Sequence, residues 1–251
     1  MTSMAIDVEE RSFAPGDSHL VFDGGLGEKE IAITFGGSID PVVTPKILDL
    51  LLTSGLRAHF FVTGLSAKKN LEIIERINNE GHVLGSYGYG QSATPNAGLS
   101  FEERSQKIEE DITLGHEVVY ASDAKIYPFV RLSVKTSSVE ARHFVRNNNV
   151  YAFYWNIDYE DENPAESITL SLKREGYRGL AALGLGSPYA LVALKQLITE
   201  IQANDMKVIV LQPPEGTDWK TRLPLIREQV KQLVSEKGSF LVLKRKANNS
   251  I

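Results

Sequence analysis

Few residues of this chain are placed to do chemistry. With no cysteine, disulfides, thiol catalysis and thiolate metal sites are excluded. Five histidines remain: His19, His59, His82, His116 and His143. No two of them stand at ligand spacing on one predicted element, so they read as structural. Four aromatic residues, Tyr87, Tyr89, Trp155 and Tyr159, lie near the ends of apolar runs, where their faces suit sugar rings. Arg131 ends another such run, and the carboxylates Asp158 and Asp161 follow Trp155. The run Gly184-Leu185-Gly186-Ser187-Pro188 closes a strand and opens a helix, a place where anions bind, but it lacks a full dinucleotide or Walker pattern.

Positioning these residues requires a regular frame, and the hydrophobic pattern supplies one. Strands are predicted at Glu30–Phe35, Ala58–Thr63, His82–Ser86, Lys125–Arg131, Val150–Asn156, Gly179–Leu183, Lys207–Leu211 and Ser239–Lys244. Helices are predicted between them at 44–54, 67–80, 100–119, 137–147, 165–175, 189–203 and 221–237. Leu191, Leu194, Ile198 and Ile201 form the apolar stripe of a helix laid on a sheet. Thr44-Pro45 reads as an N-cap followed by a first-turn proline. Ser100 with Glu103 reads as a capping box. Such alternation implies parallel strands and an α/β fold: a single-domain, distorted (β/α) barrel of seven or eight units, with a doubly wound open sheet as the alternative. Residues 1–29 are expected to form an N-terminal extension and strand pair, 30–212 the barrel, and 213–251 an additional helix and strand of the same domain. In a parallel barrel the site is built just beyond the strand C-termini.

The composition excludes several classes. A chain of 251 residues with 42% hydrophobic residues can bury a full core. A net charge of −5 gives no reason to expect nucleic acid as a partner. No apolar run approaches the length of a membrane span, and the first seventeen residues carry no apolar segment of the signal-peptide kind.

Several stretches together resemble the polysaccharide deacetylase superfamily, the NodB-type carbohydrate esterases. Ile33-Thr-Phe-Gly-Gly-Ser38 is similar to the family's Thr-Phe-Asp-Asp-Gly motif. Thr44–Leu51 resembles its "Thr-Pro-x-Ile-Leu-Asp-x-Leu" helix, and Ala58–Gly64 its "Ala-Thr-Phe-Phe-Val-x-Gly" strand. Ile77–Ser86 resembles "Ile-x-x-Glu-Gly-His-x-x-Gly-Asn", and the following residues stand where the family has Asn-His-Thr-Tyr-Ser-His. Trp155-Asn-Ile-Asp158-Tyr-Glu-Asp161 is similar to "Trp-x-x-Asp-x-x-Asp-Trp".

The resemblance implies a zinc-dependent deacetylase with its chemistry removed. The family holds zinc with one aspartate and two histidines, and a second aspartate takes the proton of the metal-bound water. Here Gly36 stands at the base position and Gly37 at the metal aspartate; Tyr87 and Gln91 replace the metal histidines. Gly184 replaces the acid histidine. No cofactor is therefore expected. Asp40 is the one nearby carboxylate in reach of the old metal position. What is retained is supporting: Arg131, Asp158 and Asp161, with Arg131 expected to bond Asp161 beneath a partly filled pocket. Tyr87, Tyr89, Trp155, Tyr159 and Arg131 are the candidate ligand contacts, and His59 replaces a threonine of the family's second strand. The implied function is that of a non-enzyme that binds a cell-wall glycan or a protein partner, placed outside the cytoplasm by the resemblance. The alternatives are a structural subunit and an active deacetylase acting on carbon–nitrogen bonds through a relocated site.

Overall fold

Alternation along one central strand sets the plan of the molecule. In a computed structural model, which describes residues 5–13, 19–21, 24–90, 98–120, 124–132, 139–148, 150–159 and 164–214, that strand follows two short ones. These are β1 (Val8–Ser12), β2 (Leu20–Val21) and β3 (Glu30–Gly37). The chain continues through α1 (Val43–Thr53), β4 (His59–Val62), α2 (Gly64–Lys69), α3 (Leu71–Asn79), β5 (Val83–Ser86) and α4 (Phe101–Tyr120). Then come β6 (Ile126–Arg131), α5 (Val139–Asn147), β7 (Tyr151–Phe153), β8 (Ile157–Tyr159), α6 (Pro164–Arg174), β9 (Gly179–Gly184), α7 (Ala190–Ala203) and β10 (Lys207–Gln212).

Ile31, Ile33 and Phe35 of β3 face the helices, where they pack with Ile47, Leu48 and Leu51 of α1 and Leu194 and Leu197 of α7. Ala32 faces the other way and joins an interior cluster with Phe61, Phe129, Phe153, Leu180 and Leu211. A period of two then turns Thr34 and Gly36 to that interior as well.

Among the described residues every strand pairing is parallel, and the sheet curls into a partial barrel. β3 pairs β4, β4 pairs β5, β5 pairs β6 and β6 pairs β7. Three residues on, the same extended segment pairs β9 as β8, and β9 returns to β3. The curled parallel sheet fits the expected distorted (β/α) barrel, although among the described residues no hydrogen-bonded pairing joins β7 to β8. One side is forked: β10 pairs β3 only at Lys207↔Glu30 and Val208↔Ile31, while β4 takes the rest of that edge from Thr34↔His59 onward. β10 therefore works as a seventh stave inserted at the fork, with β1 along its other edge. The two N-terminal strands do not pair with each other, since β2 lies on β7.

Local chemistry moved some boundaries. Residues 67–80 form two helices rather than one, because Asn70 leaves helical geometry and its side chain donates to Ser66 O at 2.8 Å. Helix α1 starts at Val43, before Thr44; the Asp40 carboxylate accepts from the Val42 and Val43 amides, both at 2.8 Å, and Thr44 Oγ1 accepts from Asp40 N at 3.1 Å. The capping box of α4 forms as expected, with Ser100 N donating to Glu103 at 2.8 Å and Glu103 N to Ser100 Oγ at 3.2 Å. The helix expected at 221–237 and the strand at Ser239–Lys244 lie outside the described residues.

Candidate functional site

The strand C-termini bring most of the singled-out positions to one end of the barrel. Gly36 and Gly184 are direct cross-strand neighbours, and Leu185 N donates to Gly36 O at 2.9 Å. Tyr87 follows β5, Arg131 ends β6, and Trp155 sits in the kink between β7 and β8. Gln91 and Asp161 lie outside the described residues, so the expected Arg131–Asp161 bond does too.

Arg131 dominates this end. It is 2% exposed, although a guanidinium is costly to bury unless its donors and its charge are met. Its Cζ lies 4.1 Å from the centre of the Trp155 ring and 5.9 Å from that of Tyr87, within range for cation–π attraction. Nη1 donates to Thr34 Oγ1 at 3.4 Å, and that hydroxyl donates to Ala181 O at 2.9 Å. The guanidinium lies directly over Gly36: a Cβ added there would stand 2.7 Å from Nη1 and 3.0 Å from Cζ. Thr34 was not among the sequence candidates. The period-two step back from Gly36 along β3 was the signal that could have found it.

The aromatic residues part company. Tyr87 and Trp155, both half-buried, pack against the interior cluster and flank Arg131. Tyr89 turns instead toward α2, its ring against Gly64, where Gly64 N donates to Gly88 O at 2.9 Å and Leu65 N to Tyr89 O at 3.0 Å. Tyr159 does not line the site. It is 2% exposed in the layer between sheet and helices, and its hydroxyl donates to Ile168 O at 3.3 Å. Alternation explains this, since Asp158 takes the inward position, level with Ala182, and sends Tyr159 outward. Asp158 is half-buried there.

His59 serves the frame rather than the site. Its ring fills the fork: Nδ1 is 3.2 Å from Ile33 O, and Nε2 accepts from Leu211 N at 3.0 Å. Burial pushes its pKa down to about 4, so it is neutral at neutral pH. His82 accepts from Ala58 N at 3.3 Å through Nδ1, and burial brings it, too, to about 4.

The residues present do not fit zinc. Gly37 offers no donor, and its φ of +123° is a backbone state that side-chain-bearing residues rarely adopt. Tyr87 is turned to the interior cluster. Asp40, the one candidate substitute, holds the start of α1 through its Oδ1. Among the described residues no three His, Cys, Asp or Glu side chains are grouped to hold a metal ion. A cleft of about 710 Å³ lies away from these positions, before β9, between Leu26, Glu28, Asn156 and the turn from Arg174 to Gly179. Asn156 braces that turn by accepting from Leu180 N at 2.8 Å.

The family model for polysaccharide deacetylase matches residues 23–131. Those residues carry a polysaccharide deacetylase domain. A peptidoglycan-N-acetylglucosamine deacetylase of Bacillus cereus is 28% identical over 199 residues, which cover 76% of this chain and 70% of that protein. Among solved structures, the Bdellovibrio bacteriovorus peptidoglycan deacetylase Bd3279 superposes with a TM-score of 0.70 at 21% identity, covering 86% of this chain and 62% of that one. BA3943 of Bacillus anthracis, a CE4 family pseudoenzyme, gives a TM-score of 0.64 at 18% identity, covering 78% of this chain and 68% of its own. The last two likenesses concern the fold. Among the described residues of this chain, no helix is long and apolar enough to cross a membrane.

Proposed function

We propose that this protein is a catalytically silent member of the polysaccharide deacetylase family, binding no zinc and keeping its barrel as a scaffold for a cell-wall glycan. One observation carries the reading. The guanidinium of Arg131 lies 2.7 Å from where a Cβ at position 36 would stand, so the native site is arranged around a glycine there and not around a carboxylate. Hydrolysis of an acetamide at this site needs a metal to activate water and a carboxylate to take its proton; general-base catalysis alone contributes about 10²–10⁴-fold. Neither Gly36 nor Gly37 supplies an atom for those tasks. A pseudoenzyme already exists on this fold in BA3943.

The glycan half of the reading rests on Trp155 and Tyr87, whose half-buried rings remain at the site. Aromatic faces pack against the apolar faces of sugars. The peptidoglycan substrates named for the Bacillus cereus and Bdellovibrio proteins favour a cell-wall ligand and a place outside the cytoplasm.

The test is acetate release from chitin oligomers and peptidoglycan by metal-supplemented protein, alongside calorimetric titration with the same oligomers. The expected result is no acetate above background, with binding weakened by Trp155→Ala. Acetate release that chelation abolishes would end the silent-enzyme reading. Absence of any glycan heat would end the glycan-scaffold part.

A further inference from the structure

We propose that the cleft of about 710 Å³ where β3 and β9 begin is a binding site for a small zwitterion, an amino acid or a short peptide with a free amine and a free carboxylate. The cleft lies at the opposite end of these two strands from Gly36 and Gly184, so the presence or loss of chemistry there does not bear on it. Its size is that of small-molecule sites, which commonly enclose about 300–1,000 Å³.

The walls are fixed by backbone. One wall is the turn from α6 into β9. There Glu175 N donates to Ser171 O at 3.0 Å and Tyr177 N to Leu172 O at 2.7 Å. Gly176, Tyr177 and Gly179 take φ values of +65°, +55° and +139°. For Tyr177, which carries a side chain, the left-handed state is uncommon and must be held by its surroundings. Asn156 holds this wall from the kink after β7: its amide donates to Arg178 O at 3.3 Å and accepts from Leu180 N at 2.8 Å. The other wall is the segment leading into β3. Leu26 is anchored in the interior cluster, Gly27 N donates to Glu30 Oε2 at 2.7 Å, and Lys29 O accepts from Lys207 N at 2.8 Å. Arg178 and Glu28 thus face one cleft from opposite walls, each on backbone that is pinned beside it.

Charge selects the ligand. Two of the four charged residues in the lining are already matched. Arg174 Nε donates to Glu175 Oε1 at 3.0 Å, and Asn156 Nδ2 donates to Glu175 Oε2 at 3.1 Å. The bonds from Asn156 and Arg174 hold Glu175 below the ordinary glutamate range. Nearby Glu30 is matched by Arg11, and Lys207 by Glu9 and Asp7. Glu28 and Arg178 are the exceptions. Both are exposed and, among the described residues, neither side chain makes a hydrogen bond or ion pair, with the other or with a third group. A carboxylate and a guanidinium that share a cleft without meeting leave a place for the complementary pair. The ligand's carboxylate takes the planar fork of Arg178, and its ammonium takes Glu28. An ion of one sign satisfies only one of the two, and a neutral sugar satisfies neither charge.

The experiment titrates the isotope-labelled full chain with trialanine, whose two termini are free, and follows the Gly176 and Gly179 amide resonances. N-acetyl-trialanine, trialanine amide and the doubly blocked peptide are the comparison probes. Trialanine is expected to shift these amides in a saturable way, and blocking either terminus to weaken it at least about tenfold. Glu28→Gln and Arg178→Gln, both changes at exposed positions, should each weaken trialanine by a similar factor. The pairing should also show: Arg178→Gln no longer distinguishes trialanine from its amide, and Glu28→Gln no longer distinguishes it from the acetylated form. No shift up to about 20 mM trialanine would overturn the proposal. So would equal binding of the doubly blocked peptide, or variants that bind as the native chain does.

Discussion

Two arginines hold this barrel, and they do it by different physics. Arg11 works at the seam where β1, β10 and β3 meet. It is bidentate on Glu30 at 2.7 and 2.8 Å and reaches Glu9 at 2.9 Å, while Lys207 joins Glu9 at 3.0 Å. Hydrogen bonding to Arg11 holds Glu30 at about 2, well below its ordinary value. Arg131 works inside the ring, 2% exposed, stacked on Trp155 and bonded to a threonine hydroxyl. At the seam, formal charges are matched within reach of water, so solvent and salt weaken every attraction. In the interior, the hydrogen-bond and ring contacts of Arg131 act out of reach of water, without that screening. The seam should therefore respond to pH and salt, and the interior to shape.

Arg131→Met is the strongest test of that contrast. It removes a buried planar group that fills the space above Gly36 and against Trp155. The expected cost is about 3–5 kcal/mol, read from urea unfolding. A loss below about 1 kcal/mol, the scale of an exposed ion pair, would erase the distinction between the two arginines.

Acid should loosen the seam before the interior. His59 lies at the fork and titrates near about 4 in the folded chain against 6.5 unfolded. Its contribution is whole above 6.5 and is lost as pH falls toward about 4, because the unfolded chain takes the proton first. The size is on the order of 2 kcal/mol. Burial holds His82 and His116 at about 4 as well, so they add to the same window. Glu30, near 2 against 4.5, keeps its contribution above 4.5 and loses it as pH falls to about 2. Hydrogen exchange measured from pH 7 down to 4 should show β10 amides opening ahead of β9 amides, since His116 couples β6 to the same window. The reverse order would mean that the interior, not the seam, is the pH-sensitive part.

Arg11→Met should have the smallest effect. Its side chain is 30% exposed, so the expected loss is about 1 kcal/mol, shrinking in high salt. A salt-independent loss would place Arg11 with Arg131 in the packing class and narrow the contrast.

Much of the frame was legible from local signals. The apolar runs of β3, β4, β5, β6, β9 and β10 are short, rich in Val, Ile, Leu and Phe, and bounded by turn residues, so their places followed from pattern alone. The Ser100–Glu103 box is a matter of two residues three apart, and it formed as read. The residue types at Gly36, Gly37, Tyr87, Gln91 and Gly184 are also facts of sequence, and the resemblance alone puts them at the family's reactive positions.

What filled the space was decided only in three dimensions. Tyr159 and Asp158 are adjacent in sequence and face opposite layers; which of the two turned inward depended on the register of β8 against β9, a pairing between segments far apart in the chain. Tyr87 and Tyr89 carry the same side chain two residues apart, yet one joins the interior cluster and the other lies on Gly64. His59 became a wedge because β10 leaves β3 just where β4 begins. The place of Arg131 over Gly36 joins residues 95 apart in number. It needed the ring of strands to bring β6 across from β3, and a glycine to leave room for the guanidinium. A sequence specifies the atoms each position can offer and the local period in which they recur. Close packing among distant strands decides which of those atoms meet, because an interior at near-crystalline density admits few arrangements of the same side chains.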